Sequence, residues 1–339
     1  MATPAIKDIV VIGGSAGSTS VLQQLLADLP GDLPASLLIA THLPAQSPGY
    51  LARMLDQNAR LKVVQAVDTQ LPEPGHVYVA PPDRHLLLVD GVLRLGTGPR
   101  ENMVRPAIDA LFRSAAASAG SRVIGVVLSG MLNDGAAGLA SIKACGGTAV
   151  VQHPLDAAEE QMPLAALEAA EVDHVAPAAQ LGALLAGLIG SAAGASPAPS
   201  AALRLEVDIA LGQRLGSDRL RQIATPSALS CPACQGVLSE VEGSRPLRFR
   251  CQIGHAYTAE ALLADIDAVD EALRVAMRVM EERVTLVERM ADEARQSGRK
   301  AVAELYAARA EEYRHYASTL RRAAASALHL GQGRRGEAS

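Results

Sequence analysis

Asp8-Ile9-Val10-Val11-Ile12-Gly13-Gly14-Ser15-Ala16-Gly17-Ser18-Thr19-Ser20 is the stretch on which the fold reading rests. Four consecutive β-branched residues, Ile9 to Ile12, stop at a Gly-Gly pair, the pattern of a strand buried on both faces that runs into a tight turn. Ser18, Thr19 or Ser20 can cap the amphipathic run Val21, Leu22, Leu25, Leu26, Leu29, so a helix follows at once. Ser15 therefore lies between strand and helix. Gly13 to Gly17 fits G-x-S-x-G, a turn that lifts a nucleophilic hydroxyl while small neighbours let a substrate carbonyl approach. Backbone N–H groups of the turn and helix start are placed to hold an oxyanion. A phosphate-binding turn is the competing reading. A dinucleotide fingerprint, however, needs glycine where Ser15 and Ser18 stand, and a P-loop ends in Gly-Lys-Ser/Thr, which is missing here.

From residue 8 to about 190, strand-like runs (8–13, 36–41, 76–80, 122–129, 147–151, 173–176) alternate with helical patterns (18–29, 48–58, 105–118, 135–145, 161–170, 178–189). This rhythm predicts an α/β fold with a doubly wound, mainly parallel sheet. In such sheets ligands sit at the carboxyl ends of the strands. Three of those ends carry reactive groups: Ser15, then His42 in Thr41-His42-Leu43-Pro44, then Asp134 in Ser129-Gly130-Met131-Leu132-Asn133-Asp134-Gly135. A serine hydroxyl needs a base, and His42 ends a strongly patterned strand, whereas His76, His85, His153 and His174 are weaker rivals. Asp134 suits an orienting carboxylate; it equally suits an N-cap for the helix that follows.

The chain has 339 residues, 49% of them hydrophobic but only 2% aromatic, so its core must be built mainly from Leu, Val, Ile and Ala. A net charge of -5 offers no global basic field for nucleic acid. No apolar run approaches a membrane span and no secretory leader is recognisable at the N-terminus, so a cytoplasmic protein with no membrane insertion is expected.

Residues 191–230 read as an Ala/Ser/Pro-rich linker (191–202) and a lead-in. Within 231–257, Cys231, Cys234, Cys251 and His255 follow C-x2-C-x16-C-x3-H, the spacing of two knuckles around a tetrahedral Zn²⁺. Four protein ligands leave no open position, so the metal is expected to be structural and remote from catalysis. Arg245, Arg248 and Arg250 beside the single aromatic Phe249 are too few for a nucleic-acid surface. From 258 to 330, apolar positions recur at three and four on either side of Ser297-Gly298, predicting an antiparallel helical hairpin suited to homo-oligomer formation or domain packing. Residues 331–339 read as a disordered tail.

Taken together, Ile12-Gly13-Gly14-Ser15-Ala16-Gly17, the Thr41-His42-Leu43-Pro44 turn, Arg105-Pro106-Ala107-Ile108-Asp109 and Ser129 to Ala136 resemble, in order and separation, the chemotaxis methylesterase family, CheB. The resemblance covers about residues 7 to 190, within a catalytic domain assigned to 1–190. It implies a protein-glutamate methylesterase with Ser15 as nucleophile, His42 as general base and acid, and Asp134 as orienting carboxylate. Ala16 and Met131 would line the site, with N–H groups near them holding the oxyanion. It also implies a methylated chemoreceptor as substrate and deamidation of receptor glutamines by the same acyl chemistry. Better-known members carry a receiver domain ahead of the esterase, whereas here the first strand starts at residue 8, so a stand-alone form is expected. Gln161-Met162-Pro163 replaces an aromatic-Gly-Met-Pro, which is expected to alter the grip on the substrate side chain. The alternative is a signalling scaffold that keeps the fold, has no activity, and binds partners through its zinc segment and helices; the intact serine, histidine and aspartate favour the enzyme.

Overall fold

The computed structural model describes residues 5–214, 216–264 and 267–332, with backbone alone for 267–272 and 323–332. Most of the tail at 331–339 lies outside the described residues, as do the side chains of Ile266, Val269 and Ala324, three of the apolar positions that recur at three and four in the expected hairpin.

In chain order the elements are β1 (Ile9–Gly14), α1 (Ser18–Asp28), β2 (Ser36–Thr41), α2 (Leu51–Asp56), β3 (Lys62–Gln65), β4 (His76–Val79), β5 (His85–Val89), β6 (Val92–Gly96), α3 (Ile108–Ala119), β7 (Val123–Val127), α4 (Ala136–Ala144), β8 (Thr148–Gln152), α5 (Gln161–Ala169), β9 (His174–Ala176) and α6 (Ala178–Leu188). Beyond them come α7 (Ala201–Leu211), α8 (Ser217–Leu220), β10 (Ala224–Ser230), β11 (Val237–Val241), β12 (Arg248–Cys251), β13 (Ala256–Thr258), α9 (Ala259–Ala264), α10 (Asp267–Gln296) and α11 (Lys300–Gln332).

Seven strands form one sheet in the order β3-β4-β2-β1-β7-β8-β9, and every pairing in it is parallel. Strand side chains alternate between faces, and β1 shows the result: Val10 and Ile12 enter the core under α1 and α6, while Ile9 and Val11 enter the core under α3 and α4. Both faces are covered, which is why these strands are apolar throughout. The chain leaves β1 for β2 on one side and later returns to β7 on the other, so a crevice opens at the carboxyl end of β1. The register sets what meets there: Gly14 lies opposite Thr41, and Gly13 opposite Val127.

The short β3 and the antiparallel β5–β6 hairpin depart from the predicted elements. The hairpin turns at Asp90 and Gly91, both with positive φ, as a two-residue hairpin turn requires. The stretch expected as a linker is tied down: Lys7 N–H donates to Ser191 O, Ser121 Oγ to Gly194 O, and Ser121 N–H to Ser196 Oγ. Ser200 Oγ then caps α7 by accepting the Leu203 N–H, and α7 lies against α3, with Ala210 packed on Ala107 and Ala110. Strands β10 to β13 make a four-stranded antiparallel sheet. All of this belongs to one compact unit, residues 1–262.

The described residues from 263 onward form a second unit, in which α10 and α11 pack as a hairpin broken at Ser297-Gly298. Its seam is largely alanine: Ala291, Ala294, Ala303, Ala310 and Ala317 are buried, with Val287. Arg314 and Glu288, and Arg321 and Glu281, pair across it. No helix among the described residues is long and apolar enough to cross a membrane.

Candidate active site and thiol cluster

Ser15 follows β1 in a turn that the surrounding backbone holds. Its N–H donates to Ser129 O at 2.9 Å, and its carbonyl accepts both the N–H and the Oγ of Ser18. Ser18 thus closes the turn instead of capping α1, whose N-cap is Gly17 at a φ of 77°, a conformation that favours glycine. Ser129 Oγ donates to Ala16 O at 2.7 Å and stitches the other side. A methyl group on Gly130 would lie 2.9 Å from Ser15 Cβ and 2.0 Å from Met162 Sδ, so only glycine leaves room behind the serine.

His42 leaves β2 one residue past Thr41, as Ser15 leaves β1 one residue past Gly14. Its Nε2 meets Asp134 Oδ2 at 2.7 Å, and it is 19% exposed whereas the aspartate is 2% exposed. The structure therefore brings His42 and Asp134 into contact. Ser15 Oγ makes no hydrogen bond to His42 among the described residues. With Nε2 committed to the carboxylate, Nδ1 is the ring nitrogen left to take a proton.

Asp134 also accepts the Ile108 N–H on Oδ2 at 2.7 Å and the Asp109 N–H on Oδ1 at 3.1 Å. It thereby caps α3, and not α4 as the sequence also allowed. The capping of α4 falls to Asp109, whose Oδ1 accepts the N–H groups of Gly135 and Gly138. Each aspartate thus serves the helix that the other's segment begins. Burial works to raise the pKa of Asp134, but the His42 contact and the two N–H donors hold it below the ordinary carboxylate value. Asp109 is pushed up to about 7 by burial and by the Asp134 carboxylate beside it.

Ala16 and Met131 lie exposed at the rim, Met131 at 52%, and neither N–H donates to another group among the described residues. Gln161 Oε1 accepts the Leu132 N–H at 2.8 Å, so this side chain shapes the loop after β7. His85 is a fully buried structural residue, with Nδ1 accepting the Ala107 N–H and Nε2 donating to Pro99 O. Sequence reasoning did not single out Ser129, whose Oγ stitches the Ser15 turn, or Asn133 beside Asp134, although both stand in the quoted motif, nor Thr258, which bonds to Asn133.

Cys231, Cys234, Cys251 and His255 converge at the ends of β10, β12 and β13, their ligand atoms all within 4.8 Å of one another. Cys234 Sγ lies 3.7 Å from Cys251 Sγ, and His255 Nδ1 lies 3.7 Å from Cys231 Sγ and 3.4 Å from Cys251 Sγ. A tetrahedron of ~2.3 Å metal–sulfur bonds has edges of about 3.8 Å, so the donor set suits a Zn²⁺-sized ion.

The fold is of the doubly wound α/β class, with its crevice at the carboxyl end of β1. Residues 10–185 match the family described as CheB methylesterase, and the chain belongs to that family. A putative protein-glutamate methylesterase/protein-glutamine glutaminase of Leptospira interrogans is 40% identical over 169 residues, covering 50% of this chain and 88% of that one. The protein-glutamate methylesterase/protein-glutamine glutaminase of Ralstonia nicotianae is 37% identical over 180 residues, covering 52% of this chain and 47% of that one, so this chain spans about half of its length. The crystal structure of the Thermotoga maritima CheB methylesterase catalytic domain superposes with a TM-score of 0.52 at 34% identity, covering 54% of this chain and 98% of that one.

Proposed function

We propose that this protein hydrolyses glutamyl methyl esters on a protein substrate by way of a Ser15 acyl-enzyme. The observation that carries the reading is the 2.7 Å contact between His42 and a buried Asp134, set at strand ends beside Ser15. Ser15 Oγ attacks the ester carbonyl and passes its proton to His42 Nδ1, and Asp134 stabilises the imidazolium. The tetrahedral oxyanion is received by the N–H groups of Ala16 and Met131. The imidazolium then protonates the departing methoxide; methanol leaves, and the glutamyl group stays on Ser15. Water, deprotonated by His42, releases the glutamate and restores the hydroxyl. A glutamine side chain would follow the same course with ammonia as leaving group. The family supports a methylated chemoreceptor as the substrate. Methanol release from such a receptor tests the reading: wild type should release it and Ser15→Ala should not, and equal release by both would overturn the proposal.

Zn²⁺ is the proposed occupant of the thiol cluster, held by Cys231, Cys234, Cys251 and His255. Four protein donors leave no position for substrate or water, so the ion would supply folding energy to a small sheet and no chemistry.

A further inference from the structure

The match to the family ends at residue 185, yet side chains from well beyond it reach the turn that carries Asp134. Thr258, in β13, donates its Oγ1 hydrogen to Asn133 Oδ1 at 2.7 Å across 125 residues of sequence, and the same oxygen accepts the Ala261 N–H. Asn133 Nδ2 donates to Glu260 Oε2 at 2.6 Å. The amide next to Asp134 is therefore gripped at both ends by the C-terminal sheet and the helix after it. β13 is itself anchored to the esterase fold: Thr258 N–H donates to Asn102 Oδ1, and Asn102 N–H donates to Ala256 O.

A second tie lies behind the first. Arg250, fully buried, pairs with Glu101 and Glu206. Arg248 forks onto Glu206. Arg113 faces Glu101, Glu206 and Asp109, and Asp109 fixes Gly135, the residue after Asp134. Three arginines meet three carboxylates out of water, an arrangement that holds one geometry because displacing any member leaves a buried charge unpaired. Asp134 is thus flanked by Asn133 and Gly135, both positioned with the help of residues from 201–262.

We infer that the C-terminal sheet is a working part of the esterase site, with Thr258 and Asn133 as positioning residues that hold Asp134 against His42. It stands in place of the expectation that the metal segment is remote from catalysis. His255 lies three residues before Thr258, immediately ahead of β13, so ordering the thiol cluster orders the contact to Asn133. The inference rests on the proposed esterase chemistry for its kinetic signature but not for its structural one.

The test compares Thr258→Val, which deletes the hydroxyl at nearly constant shape, with Thr258→Ser, which keeps it, following methanol release from a glutamyl methyl ester peptide and amide hydrogen exchange over 130–138. Thr258→Val should lose about tenfold in kcat at unchanged KM, the scale expected when a catalytic group is held less firmly. It should also exchange faster over 130–138 at full zinc content, and Thr258→Ser should behave as wild type in both respects. Cys251→Ser should show the same faster exchange. Wild-type kcat together with wild-type exchange in Thr258→Val would overturn the inference, as would a rise in KM alone. Full activity in Ser15→Ala would instead remove the esterase reading, and the exchange comparison would then decide the inference by itself.

Discussion

Asp109 Oδ1 accepts the Gly138 N–H at 2.6 Å and the Gly135 N–H at 3.1 Å, so one carboxylate oxygen ties the start of α4 to the start of α3. Asp109→Ala frees both donors and should cost about 1–2 kcal/mol of stability. Asp109→Asn keeps an oxygen in place and should recover most of that loss, as measured by chemical denaturation. The two proteins should also differ in pH dependence. Because the folded-state carboxyl titrates at about 7, above its ordinary 3.8, wild type loses stability as pH rises across that interval, whereas Asp109→Asn does not. Denaturation midpoints at the two ends of the interval check the sign.

Asp134→Asn should be far more damaging to rate than to folding. An asparagine would turn an N–H₂ group toward His42 or toward the Ile108 and Asp109 amides, so the imidazole would no longer be held in the tautomer that leaves Nδ1 basic. A fall in kcat of about 10³–10⁴-fold with a near-native circular dichroism spectrum is expected. A fall of less than tenfold would move the orienting role away from this residue.

Acid should unfold the first unit through Glu101 and Glu206. Burial alone would raise both pKa values, but Arg113 and Arg250 bring Glu101 down to about 2, and Arg248, Arg113 and Arg250 hold Glu206 well below the usual range. Carboxylates depressed in this way stabilise the folded state fully above their unfolded pKa and lose that contribution as pH falls toward 2. Stability should therefore drop steeply between about pH 4.5 and 2. Glu206→Gln should cost about 3–5 kcal/mol at neutral pH, since three arginines lose a partner together.

Native mass spectrometry should find one Zn²⁺ per chain and none in Cys251→Ser. Full zinc retention in that variant would exclude Cys251 as a ligand, and with it the Cys₃His set.

The main sheet and most of its helices are legible in the sequence because β-branched runs and three-four periodicities are local signals; β1, β2, β4, β7, β8 and β9 all fall where those runs do. The β5–β6 hairpin left a trace that went unread, Asp90-Gly91 between apolar runs. α7 hid behind a Pro/Ser-rich lead-in, although Ser200 and Gly212 mark its ends. Ser15, His42 and Asp134 are candidates in the sequence because strand ends collect chemistry, whereas the contact of His42 with Asp134 came only with the register. The reciprocal capping by Asp109 and Asp134 and the reach of Thr258 to Asn133 leave no local pattern, since each depends on how distant segments dock.

The buried charges also determine where this chain can be divided. The match to the family ends at residue 185, and on that ground a genetic cut near residue 190 would look natural here. Such a cut would leave Glu101 without Arg250 and Arg113 without Glu206, and would strip Ala210 from the apolar face around Leu87, Ala107 and Ala110. The shortened product would be a damaged enzyme, and its low activity could be misread as loss of a docking module. The compact unit that holds the main sheet runs on to residue 262, so a fragment of this protein meant to keep that unit whole should keep the thiol cluster with it.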